Sequence, residues 1–186
     1  MKLQSRMNNI FHNTKSPKAG FTLVELILYV GILVILLGAS VLSALSAANT
    51  RVKALARHEV NYSTQFAQDV LSHTISRAQS IDSGASTFDN ASSVLVLIMD
   101  DPLESPTTFE LTTGQLTVTR GAGAAIPITT GHVDVPTFQV ENLSRGSKVN
   151  DVRITLLVEH KNPSNLSQFF ADLTTVESFS LRQKQL

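Results

Sequence analysis

The sequence predicts an α+β protein in which a long N-terminal helix packs on an antiparallel β-sheet domain. Residues 21–48 hold one charged side chain and no proline, and residues 49–83 lack both glycine and proline. From about residue 92 the pattern changes to short apolar or alternating runs separated by glycine and proline. The first two segments favour one helix, apolar in its first half and amphipathic in its second, and the third favours strands joined by turns.

The charges of the chain are balanced in number but unevenly placed. Its 186 residues include 15 basic and 15 acidic side chains, and the mean hydropathy is +0.10. Residues 1–20 carry four basic residues and no acid, whereas the chain after residue 50 holds 11 basic and 14 acidic residues. This balance excludes a strongly basic nucleic-acid binder. The absence of cysteine excludes disulfide frameworks, cysteine-ligated zinc and thiol catalysis.

The apolar segment 21–48 is typical of a membrane-spanning helix. At about 1.5 Å per residue it would extend roughly 42 Å, which exceeds a hydrocarbon core of about 30 Å. A soluble helix of this composition would need apolar cover on every face. A secretory signal peptide would have an apolar region of only about 7–15 residues. Three basic residues flank the segment on each side, so charge alone gives no orientation: Arg6, Lys15 and Lys18, then Arg51, Lys53 and Arg57.

The residues from Lys18 to Glu25 carry a family resemblance. A short basic leader ends in Gly20, Phe21 follows, and an apolar helix then has glutamate as its fifth residue. This arrangement resembles the processing site of type IV prepilins and pseudopilins. The resemblance implies that the prepilin peptidase cuts between Gly20 and Phe21 on the cytoplasmic side and that Phe21 is then N-methylated. It also implies that the C-terminal domain lies outside the inner membrane.

Glu25 is costly in lipid, by about 2.5–3.5 kcal/mol at mid-bilayer on insertion scales. The resemblance implies that its carboxylate pairs with the amino terminus of a neighbouring subunit and so sets the register of assembly. One departure is Leu42, which stands where many major pilins carry a proline. Gly31 and Gly38 could loosen the helix instead, or they could be small residues for helix packing.

The predicted organisation has four parts. They are a basic leader at 1–20, a transmembrane and assembly helix at 21–48, an amphipathic helical half at 49–82 and an extracytoplasmic β-rich, pilin-like domain at 83–186.

The amphipathic half has large side chains at helical spacing. We expect the face that packs on the domain to contain Leu55, Tyr62, Phe66, Val70 and Arg77, with Leu71 and Ile75 widening it.

Six runs in the β-rich domain have the residue pattern of strands. We expect one antiparallel sheet, with five to seven strands in all. The six runs are 94–98, 109–111, 115–119, 137–143, 151–159 and 170–181. A Thr-Thr-Gly turn should join the second and third of these in a hairpin. This order, with the ending at 174–182, resembles the larger minor pseudopilins.

The sequence shows no catalytic constellation. Its five histidines lack the spacing of a zinc site, and no nucleophile elbow, phosphate loop or zinc-protease motif occurs. We therefore predict no catalytic residue, no metal and no cofactor. Asp100, Asp101 and Glu104 could supply oxygen ligands to calcium, but a solvated turn between strands explains them more simply.

The resemblance implies a structural subunit, a minor pilin or pseudopilin that assembles through its helix into an extracytoplasmic filament. The long helix with its β domain and the lack of catalytic groups both favour assembly over catalysis. Its implied partners are the prepilin peptidase/N-methyltransferase, other pilin or pseudopilin subunits, the inner-membrane assembly platform and, before assembly, membrane lipid. The filament could belong to a type IV pilus, a type II secretion system or a competence system, and the subunit could prime or cap it. The alternative is an uncleaved single-pass membrane protein whose β domain binds a ligand or partner.

DNA is a further partner to consider, because some pili take up DNA. The basic residues that could contact phosphate are Arg145, Lys148, Arg153 and Lys161. They stand in a domain with an excess of acid, so only a local patch could bind phosphate.

Overall fold

The computed structural model describes residues 20–146 and 148–181. The predicted leader, apart from Gly20, lies outside the described residues. The elements follow in the order α1 (Leu23–Arg77), β1 (Ala78–Ile81), β2 (Leu95–Met99), β3 (Thr107–Thr112), β4 (Gln115–Arg120), β5 (Ile126–Pro127), β6 (Val133–Asn142), β7 (Asp151–His160), a 3₁₀ turn (Ser167–Phe169) and β8 (Asp172–Ser180). The chain divides into two compact units, one ending at Leu45 and one beginning at Ser46. The predicted α+β class is confirmed.

The end of α1 differs from the prediction. The helix ends at Arg77, whose positive charge suits the negative end of the helix dipole. Residues 78–81, which the sequence pattern assigns to the helix, form β1 and pair with β2. Ala78 and Ile81 are buried in this strand, so pairing and burial with a distant segment override local helix propensity.

The buried face of α1 is also not the predicted one. Leu55, Tyr62 and Phe66 are 68%, 55% and 47% exposed. The buried helical positions are mainly small: Ala56, Val60, Ser63, Thr64, Ala67, Leu71, Thr74 and Ile75. The expectation was therefore wrong for these three large side chains and for Arg77, which is exposed. It was right for Leu71 and Ile75, and Val70 is half-buried against the core. Small side chains suit this face because they let the helix approach closely to the elements it packs on.

Two polar contacts fix the helix to the rest of the domain. Ser63 Oγ lies 3.0 Å from Thr130 Oγ1, in the segment between β5 and β6. Gln68 Nε2 donates to Glu177 Oε1 on β8 at 2.7 Å. Since unpaired buried polar groups are costly, these bonds specify how α1 packs on the domain.

The strands form two antiparallel sheets rather than the single sheet that the sequence predicts. The first has the order β1-β2-β3-β4-β5 and the second the order β6-β7-β8. The described residues thus hold eight strands, one more than the predicted range. Compared with the six runs that the sequence predicts, the two additional strands are the four-residue β1 and the two-residue β5.

The predicted hairpin is confirmed. Thr112 pairs with Gln115 across a two-residue turn, and both turn residues have positive φ, 50° at Thr113 and 76° at Gly114. Two positive φ values are typical of the type I′ turn, whose twist matches that of the flanking strands.

The hydrophobic core includes residues from α1 and from both sheets. Its largest fully buried side chains include Phe109 on β3, Phe138 on β6 and Leu71 on α1. These elements are far apart in sequence, so the core forms only when helix and sheets come together.

We expect Phe138→Ala to lower the free energy of unfolding by about 3–5 kcal/mol, the usual cost of removing a buried phenylalanine. Phe138 is 0% exposed, whereas Phe170 is 61% exposed. Phe170→Ala is the matched control and should change stability by no more than about 0.5 kcal/mol. Urea unfolding of the detergent-solubilised chain measures both, and equal effects of the two changes would contradict the placement of Phe138 in the core.

Candidate processing and assembly site

The predicted processing site stands immediately before α1. Gly20, Phe21 and Thr22 precede the helix, which begins at Leu23. Thr22 Oγ1 accepts a hydrogen bond from the backbone N–H of Glu25 at 3.2 Å, so Thr22 caps the helix. The acid in the first turn also complements the positive end of the helix dipole.

Gly20 is exposed and sterically open. A Cβ built on it would meet no atom within 4 Å among the described residues. Lys18 and Ala19, which complete the motif on the leader side, lie outside the described residues. The peptide bond after Gly20 is thus next to a capped helix start and has open space around its glycine.

Glu25 is partly buried, while the other residues from 20 to 51 are exposed. Its Oε1 accepts a hydrogen bond from the hydroxyl of Tyr29 at 3.3 Å. The ring of Tyr29 also meets the ring of Phe21 edge-to-face, with centroids 6.1 Å apart and an interplanar angle of 78°. Tyr29 therefore contacts both Phe21 and Glu25.

Sequence reasoning missed Tyr29. The available signal was its spacing, because residues four apart on a helix are neighbours on one face. In an apolar segment, hydropathy patterning treats a tyrosine as one more apolar residue, so the pattern does not predict a polar contact of its hydroxyl.

The first part of α1 presents apolar side chains with no cover from the residues described. Leu36 and Leu42 are 62% and 70% exposed. By length and composition, α1 is capable of crossing a membrane. The helix continues through Leu42, and a Cβ at Gly31 or Gly38 would meet no atom within 4 Å outside the local helix backbone.

A second exposed apolar feature lies on α1 after residue 46. Ala48, Leu55, Tyr62 and Phe66 follow one another at spacings of seven, seven and four, and all are exposed. We call these four residues the outer stripe. The rings of Tyr62 and Phe66 stack with centroids 6.4 Å apart and an interplanar angle of 10°. Spacings of seven and four place these side chains along one face of a helix.

The acidic loop between β2 and β3 has internal roles. Asp101 Oδ1 accepts from the backbone N–H of Leu103 at 2.9 Å, and Glu104 forms an ion pair with Arg77 at 3.3 Å. Within residues 20–146 and 148–181, no group of three or more histidine or acidic residues is placed to hold a metal ion.

The four basic residues considered for DNA are spread over β7 and two loops. Arg153 on β7 forms an ion pair with Glu141 on β6 at 3.3 Å. Arg145, Lys148 and Lys161 are exposed. DNA binding remains a prediction.

An open cavity of about 620 Å³ lies at one end of the β6-β7-β8 sheet. Asp134, Glu159 and Asp172 line it, and the strand register places each directly opposite the next. Lys161 and the exposed ring of Phe170 also line it. This concave surface belongs to the β domain and has no part in the processing site.

Residues 15–41 match the family model described as "Prokaryotic N-terminal methylation motif". No curated protein and no solved structure matches the chain. The match confirms the resemblance, because a methylation motif at this place supports a prepilin leader of the type IV pilin and pseudopilin kind. Together with the apolar helix, the motif fits a membrane-anchored pilin.

Proposed function

We propose that this chain is a minor pilin or pseudopilin, cut by the prepilin peptidase after Gly20 and N-methylated at Phe21. The observation that carries the proposal is the methylation motif at residues 15–41, which includes both residues and coincides with the capped start of an exposed apolar helix. An exposed glycine supports cutting at this position, since a protease must approach the backbone closely.

Before assembly, the apolar part of α1 holds the subunit in the inner membrane, with the β domain on the extracytoplasmic side. The exposed apolar side chains support this step, because lipid covers them at no hydrophobic cost. The proposed organisation has four parts: leader 1–20, membrane and assembly helix 21–48, amphipathic part 49–82 and pilin-like domain 83–186. Within the third part, the helix ends at Arg77 and residues 78–81 form β1.

In the filament, Glu25 pairs with the amino group of Phe21 on a neighbouring subunit. A free α-amino group is cationic near neutral pH, with a reference pKa of about 7.7–8.0. An unpaired carboxylate and an unpaired ammonium group are both costly in a medium of low dielectric. Pairing the two groups offsets much of that cost. The pair therefore fixes the axial position of one subunit against the next.

The outer stripe extends the assembly surface beyond the membrane segment. Its side chains face away from the buried positions of α1, so the β domain of the same chain does not cover them. The occupant we propose is the helix of a neighbouring subunit, because apolar helical faces at spacings of seven and four pack against one another.

We expect a chain with both Leu55→Ser and Phe66→Ser to fold normally but to enter filaments poorly, because exposed side chains add little to the stability of the monomer. Filaments sheared from cells and probed for this subunit measure the effect. Gln65→Ser, next to Phe66 but outside the outer stripe, is the matched control. Wild-type incorporation of the double variant would remove the outer stripe from the proposal.

The subunit belongs to a type IV filament system, a class that includes type IV pili, type II secretion and competence systems. Its partners are the prepilin peptidase/N-methyltransferase, other pilin or pseudopilin subunits and the assembly platform of the inner membrane. A priming or capping position at the tip is proposed by analogy with the larger minor pseudopilins alone.

A second candidate function is favoured by the open cavity: an uncleaved single-pass membrane protein whose β domain binds a ligand. The fate of the leader separates the two functions. The second candidate keeps residues 1–20, and the first loses them.

A further inference from the structure

The start of α1 contains a capping box of which one half is formed. The sequence Thr22-Leu23-Val24-Glu25 has the pattern in which a threonine caps the helix and a glutamate three residues later reaches back to the backbone N–H of that threonine. Thr22 Oγ1 accepts from the N–H of Glu25. Among the described residues, the Glu25 carboxylate accepts only from Tyr29 and not from the N–H of Thr22.

Glu25 thus has two intramolecular alternatives. It can close the capping box and lie beside its own helix terminus, or it can turn along the helix to the hydroxyl of Tyr29. In lipid one of them must be satisfied, because an unpaired carboxylate is costly there. A carboxylate that closes on its own terminus also lies near the amino group that cleavage creates on its own Phe21, and it is then less available to another subunit.

We infer that Tyr29 is a positioning residue that holds the Glu25 carboxylate away from its own helix terminus until a neighbouring subunit supplies an amino group. The inference rests on the proposed function. The O–H of Tyr29 donates to the carboxylate in the unassembled subunit, and the incoming ammonium group replaces or joins that donor on assembly. The edge-to-face contact with Phe21 keeps the two rings together at the same end of the helix.

Tyr29→Phe is the sharpest test, because it removes the hydroxyl and keeps the ring that meets Phe21. We expect this variant to be cut and methylated as the wild type is, and to enter filaments about tenfold less well, the effect of losing a hydrogen bond to a charged group. Ser76→Ala is the matched control and should enter filaments as the wild type does. It removes a hydroxyl that also donates a hydrogen bond within the same helix, to the backbone oxygen of His73, but it lies beyond the apolar segment and outside the outer stripe.

A direct readout of the carboxylate position is hydrogen exchange at the backbone N–H of Thr22. It is measured on the processed chain, which begins at Phe21 and keeps its whole β domain, in lipid nanodiscs that each hold one subunit. We expect slower exchange in Tyr29→Phe than in the wild type, because the freed carboxylate closes the capping box. The slowing should disappear when Glu25→Ala is added to Tyr29→Phe.

The outcomes separate the role of Tyr29 from the proposed function on which it rests. Normal cleavage with wild-type incorporation of Tyr29→Phe overturns the role of Tyr29 and leaves the proposed function standing. Unchanged exchange at Thr22, or slowing that persists without Glu25, also overturns it. A wild-type chain that keeps its leader overturns the proposed function itself.

Discussion

Glu25→Ala should be cut after Gly20 as the wild type is, yet enter filaments at least about 100-fold less well. The physical reason is that the amino group of Phe21 on the neighbouring subunit stays buried without its partner. Removing one member of a buried ion pair costs about 3–5 kcal/mol, and each 1.4 kcal/mol is a factor of ten. Cleavage should be unaffected because the described hydrogen bond of the carboxylate is with Tyr29 within α1, not with Gly20. Immunoblots of membranes and of sheared filaments measure the two steps separately.

Glu59→Ala is the matched control for this experiment. Glu59 lies on the same helix but beyond the apolar segment, so losing its charge should leave incorporation unchanged. Incorporation of Glu25→Ala at the wild-type level would refute the proposed pairing of Glu25 with a neighbouring amino terminus.

Gly20→Val should leave the chain uncut and hold it in the membrane as the full-length precursor. A branched side chain at this position would obstruct the approach of the peptidase to the backbone. The fold itself should be unaffected, because a Cβ at Gly20 would meet no described atom within 4 Å. Intact mass spectrometry of the membrane fraction distinguishes the precursor from the processed chain.

Gly131→Val is the matched control, since a Cβ at Gly131 also meets nothing within 4 Å and the residue is exposed. This variant should be processed normally. Efficient removal of the leader from Gly20→Val would contradict cutting after Gly20 and place the cleavage site elsewhere.

The features that could be predicted from the sequence are those with local causes. The apolar helix start, the methylation motif and the β3–β4 hairpin each depend on residues close together in the chain. The Thr113-Gly114 turn is an example, because its backbone angles follow from the residue types in the turn.

The features that the sequence did not predict depend on distant segments. Residues 78–81 form a strand only because β2 pairs with them, and the split into two sheets depends on which strands find each other. The buried face of α1 is a second case. Both faces of the helix have regular spacing, and side-chain size pointed to Leu55 and Tyr62, whereas close packing selects small residues such as Ala67.

At the candidate site, the sequence pointed to Gly20, Phe21 and Glu25 because the motif holds them at fixed spacing. It did not point to Tyr29, whose contribution depends on rotamers that bring its hydroxyl to Glu25 and its ring to Phe21. The motif therefore holds the residues of the proposed processing and pairing, and the structure adds Tyr29 as a neighbour of both Phe21 and Glu25.

The most direct test of prepilin processing is mass spectrometry of the intact chain and of its N-terminal peptide, taken from native membranes. We expect a chain that begins at Phe21 and carries a methyl group on its α-amino nitrogen. A chain that still begins at Met1 would refute processing and leave a single-pass membrane protein, with its function in the β domain.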